Sequence, residues 1–153
     1  MMTFILENAN SKESKKIGPA YMDLIRYYAS INDTIKEVDT YLEMVNIFVD
    51  SDAIPLKNKP SFLNSYAWRM SELNTNLEDA LKKSIKSIEI LDSFGIEFES
   101  SKPMFLDTKA EILWKMNMHD DAIAVIDIAI EMDSDYQYYK DQKIKFINSK
   151  KGN

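Results

Sequence analysis

From Tyr21 onward the apolar positions recur at intervals of three and four, the spacing that lines one face of an α-helix. Tyr21, Leu24, Ile25, Tyr28 and Ile31 form the first stripe, and Asn32-Asp33 follows as a turn and N-cap. A second stripe begins at once with Ile35, Val38, Leu42, Val45 and Val49, so the two helices of 20–50 must be antiparallel neighbours. Residues 51–60 read as a connection, with Pro60 suited to open the next helix. A helix over 61–73 turns through Asn74-Thr75-Asn76 into one over 77–92. After a linker at 93–102, a third hairpin runs 104–116 and 120–132, turning near 117–119. A last helix is predicted over about 136–149, its Lys-rich end matching the negative pole of the helix dipole. No segment of useful length alternates with period two, which predicts an all-α chain of about seven helices; the stacking of its antiparallel hairpins into an α-solenoid is what the repeat described below implies.

Composition narrows the chemistry. The 153 residues include no Cys, which removes disulfides, thiolate metal sites and cysteine nucleophiles. The three Gly stand isolated at Gly18, Gly95 and Gly152, so no phosphate-cradling loop is present. A net charge of −6 argues against duplex nucleic acid, whose binding draws on neutralised phosphates. No run approaches the roughly 20 apolar residues of a membrane span, and Phe4-Ile5-Leu6 is too short for a signal peptide. The expected location is therefore cytoplasmic for the chain as written, and periplasmic or otherwise exported if it is a fragment of a longer precursor. Residues 1–19 carry a polar run at 8–16 and then Gly18-Pro19, and are expected to form a flexible arm before a single helical domain over 20–153.

Two hairpins repeat. Leu63-x-x-Tyr66-Ala67-x-x-Met70 followed by Ala80 parallels Leu106-x-x-Lys109-Ala110-x-x-Leu113 followed by Ala122, Ile126 and Ala129. Leu63 to Ala80 is 17 positions and Leu106 to Ala122 is 16, one extra residue falling in the 74–76 turn. Over 61–136 this pattern resembles the tetratricopeptide repeat, a unit of about 34 residues, here lengthened by a linker insertion. Asp92 and Ser134 stand where the repeat has Pro, Lys109 where it has Leu, and Ser84 and Ser87 where apolar residues are usual. The 20–50 hairpin lacks the small-residue positions and is either a degenerate repeat or a helical cap. The phrases around Leu63 to Trp68 and Leu106 to Thr108 are similar to repeat modules appended to bacterial thioredoxin-like and other exported proteins, although without Cys the redox domain itself is missing.

His119, the only histidine, lies beside Asp120 and Asp121, but carboxylates in the first turn of a helix complement its dipole and cap free amides. Asp50-Ser51-Asp52 and Asp133-Ser134-Asp135 lack the Gly and closing Glu of a calcium loop and read as helix-end turns. No catalytic residue, metal site or cofactor is expected. The repeat resemblance implies a concave wall built by first helices, on which Asn64, Trp68, Ser71 and Glu72 fall in one copy and Asp107, Glu111, Trp114 and Lys115 in the next. The tryptophans are either anchors for a partner or rings buried against the 20–50 hairpin or the last helix. The acids on the wall imply a protein or peptide segment carrying Lys or Arg, not nucleic acid. The reading that follows is a non-enzymatic protein–protein interaction module, with a structural accessory module of a larger assembly as the alternative and an enzyme centred on His119 as a third.

Overall fold

The computed structural model describes residues 11–50 and 54–151, with the side chains of 17–49, 54–96 and 98–150. Every regular element among the described residues is helical: α1 (Ser11–Ser30), α2 (Thr34–Asp50), α3 (Lys59–Leu73), α4 (Leu77–Asp92), α5 (Lys102–Lys115), α6 (His119–Met132) and α7 (Gln137–Lys151). Short 3₁₀ turns at Leu56–Asn58 and Gly95–Ser101 lead into α3 and α5. The all-α architecture of helical hairpins expected from the periodicity is the observed one. The chain divides into two compact units, Met1–Phe62 and Leu63–Asn153.

One turn device closes all three hairpins. Asn32, Asn74 and Asn117 each take up a left-handed backbone, with φ of 57°, 52° and 62°. The residue after each sends its N–H back five positions, from Asp33 to Tyr28 O (3.0 Å), Thr75 to Met70 O (3.1 Å) and Met118 to Leu113 O (2.9 Å). This is the Schellman closure of a helix C-terminus, and Asn is the residue other than Gly that enters the left-handed region most readily. At the first turn Asp33 then caps α2, its Oδ1 accepting the Lys36 backbone N–H at 3.2 Å.

In the first unit Tyr21 and Ile25 of α1 and Val38, Tyr41, Met44, Val45, Phe48 and Val49 of α2 are buried. Of the residues expected to form the arm, 11–19 lie in α1, which begins at Ser11 and carries Pro19 inside it. At Gly18 α1 lies against α2: a Cβ there would stand 3.4 Å from Phe48 Cζ, an ordinary van der Waals contact. The remainder of the expected arm, residues 1–10, and residues 51–53 of the connection lie outside the described residues.

In the second unit α4 turns Ala80, Ser84, Ser87 and Leu91 inward, a stripe of mostly small residues that lets it approach α5 closely. The Ser87 hydroxyl donates to Ser84 O at 2.7 Å, satisfying a polar group inside that seam. Tyr66 of α3 donates its hydroxyl to Asp79 Oδ2 of α4 at 2.8 Å. Ala110, Ala122 and Ala129 are wholly buried in one cluster with Leu106, Leu113, Ile126, Tyr139 and Phe146, so α5, α6 and α7 share a core. Nine residues of α5 are buried, among them Asp107 and Glu111. A helix covered on most of its faces is normally apolar throughout, which makes these two acids the exception to explain.

Candidate functional site

The eight residues expected on the wall separate into two groups. Asn64, Ser71, Asp107 and Glu111 are buried, whereas Trp68, Trp114 and Lys115 are half-buried and Glu72 is exposed. Ser71 is turned into its own helix, donating to Trp68 O at 2.7 Å. Glu72 pairs with Arg69 at 3.0 Å.

Asp107 and Glu111 stand one turn apart on α5 and are covered by α7, whose Tyr138, Gln142 and Lys145 share a face at i, i+4 and i+7. Lys145 Nζ reaches Glu111 Oε2 at 2.5 Å. The same ammonium lies 4.3 Å from the centre of the Trp114 ring and 5.0 Å from that of Phe146. Trp114 in turn stacks on Phe146 at 5.9 Å, with Lys115 4.8 Å from its ring centre. Gln142 donates to the Tyr138 hydroxyl at 2.5 Å, and Tyr138 hydrogen-bonds Asp107. Asp107 Oδ1 is buried without a hydrogen bond.

The electrostatics follow from that geometry. Burial pushes the Asp107 carboxyl up to about 7, and the neighbouring Glu111 charge pushes the same way, against Lys145 and the Tyr138 hydrogen bond. Burial, and then the Asp107 charge, raise the Tyr138 and Tyr139 hydroxyls to about 12. Two further ion pairs hold α7 to α6: Lys143 to Asp127 at 2.6 Å, and Lys150 to Asp120. The Lys150 pair is exposed and the Lys143 pair half-buried, so neither adds more than about 1 kcal/mol.

Tyr138, Gln142, Lys145 and Phe146 were absent from the sequence-derived wall. Lys145 had its signal in the basic bias of the last helix, which the dipole argument absorbed. His119 opens α6 half-buried, with Asp120 and Asp121 in the first turn. Among the described residues no group of three or more His, Asp or Glu could hold a metal ion, and no helix is long and apolar enough to cross a membrane. Surface cavities of about 260 and 440 Å³ flank the 3₁₀ segment at Ile96, and neither is lined by a wall residue.

No protein-family model matches the chain, and a search of curated proteins finds no match either. The tetratricopeptide resemblance therefore rests on the residues that carry it.

Proposed function

We propose that this chain is a non-enzymatic interaction module of tetratricopeptide-like hairpins, which binds a protein or peptide segment along its first helices, α3 and α5. The observation that carries the reading is the state of the two tryptophans: each lies on the first helix of a hairpin, and neither is fully buried. A supporting module with no ligand would gain more by covering both rings, since indoles bury the largest apolar area of any side chain. The chemistry of the wall favours a basic segment. Lys145, seated against Glu111 and the Trp114 ring, is an internal instance of the cation that these groups accept. The competing reading, a structural accessory or capping module, draws support from the burial of Asn64, Ser71, Asp107 and Glu111.

The test is a pull-down followed by affinity measurement on the captured partner. Trp114→Ala is expected to weaken binding by roughly 2 kcal/mol or more, as central aromatic anchors do, while Lys82→Ala on the surface has little effect. Association is expected to be faster at low salt, where the acids attract a basic segment over a longer range. Circular dichroism establishes that the variant is folded. Binding that survives in a folded Trp68→Ala/Trp114→Ala double variant favours the accessory-module reading instead.

A further inference from the structure

Asp107 and Glu111 place two carboxylates in one buried seam with a single ammonium, Lys145, to neutralise them. That ammonium is committed to Glu111, and the Asp107 oxygen left over, Oδ1, has no hydrogen-bond donor. A neutral Asp107 leaves the seam with one acid and one base. An ionised Asp107 leaves an uncompensated negative charge one helical turn from Glu111, in surroundings that screen it weakly. The groups that act on Asp107 are Glu111 on its own helix and Tyr138, Tyr139 and Lys145 of α7. Among the described residues, no charged group of α4 or α6 contributes.

We infer that α7 is a proton-sensitive latch over the acidic face of α5, firmly seated while Asp107 carries a proton and loosened when Asp107 and Glu111 are both charged. The position of the Asp107 carboxyl near neutrality puts the change inside the physiological range. Loosening α7 withdraws Lys145 from Glu111 and turns both carboxylates and the Trp114 ring toward solvent, where a basic side chain can meet them. That use of the latch rests on the binding reading above; the latch itself does not.

The test is amide hydrogen exchange on the full chain between pH 5.5 and 8.5, corrected for intrinsic exchange. Protection across α7 is expected to fall about tenfold or more as pH rises, while α1 and α2 do not follow. Asp107→Asn removes the titrating group and is expected to abolish the fall, whereas Glu111→Gln removes only the lesser of the two causes that hold the proton on Asp107 and is expected to move the fall to lower pH and reduce it. An α7 whose protection does not change with pH in the natural chain overturns the latch, as does a fall that persists in Asp107→Asn. Should one variant fail to fold, the other and the natural chain still decide the matter. A latch that behaves as described in a chain that captures no partner leaves the inference standing and removes the binding reading.

Discussion

At Asp107 burial and charge act in the same direction, and the consequence for stability has a definite sign. In the folded chain the carboxyl holds its proton to about pH 7, whereas the unfolded chain releases it near 3.8. Between those values the folded state binds the extra proton, so stability declines as pH rises through the window and levels off above it. Asp33, held below its usual range by the Lys36 hydrogen bonds, works the other way, but its contribution is lost only below the window. The chain is therefore expected to melt several degrees lower at pH 8 than at pH 5.5. Asp107→Asn is expected to remove most of that difference and raise the melting temperature at pH 8. A calorimetric scan of both proteins at both pH values checks this, and an unchanged pH dependence in the variant would show that another group is responsible.

At the scale of elements, the three hairpin turns make a second expectation specific. Asn117 sits at φ 62°, where Gly is at ease and a residue with an ordinary Cβ is not. Asn117→Ala is expected to cost about 1 kcal/mol and Asn117→Gly close to nothing, measured by urea unfolding. The α5–α6 contact is tested by Ala122→Leu, which forces extra methyl groups into a site with no exposed surface and is expected to cost roughly 1–3 kcal/mol. An unchanged melt would mean that the small residues at 110 and 122 are not where the two helices meet. Much of this level was legible in the sequence, because periodicity and Asn-containing turns are local signals. What escaped was tertiary. Gly18-Pro19 looked like a break, yet both residues lie inside a continuous helix, with Gly18 against Phe48. Asp107, Glu111 and Trp114 could be placed on the correct helix from spacing alone. The last helix entered only as one alternative cover for the tryptophan rings, and that it also covers Asp107 and Glu111 could not be read from spacing, because the contact joins positions about 30 apart.

For the whole molecule, net negative charge and a lysine-rich last helix are complementary, because that helix meets the acids of its neighbours through Lys143, Lys145 and Lys150. The packing of the second unit runs from each helix to the next in the chain, α4 on α5, α5 on α6 and α6 on α7. The Lys145 to Glu111 ion pair, which joins α7 to α5, spans 34 positions. Such an arrangement sets how quickly the chain finds its structure. Each hairpin closes through a short turn that draws its two helices together, so little loop-closure entropy opposes any step, and chains whose contacts are this local fold in microseconds to milliseconds. Stopped-flow refolding from urea, followed by tryptophan fluorescence, is expected to recover most of its amplitude within about 10 ms. A dominant phase lasting seconds would mean that some step other than neighbour-to-neighbour packing governs the rate.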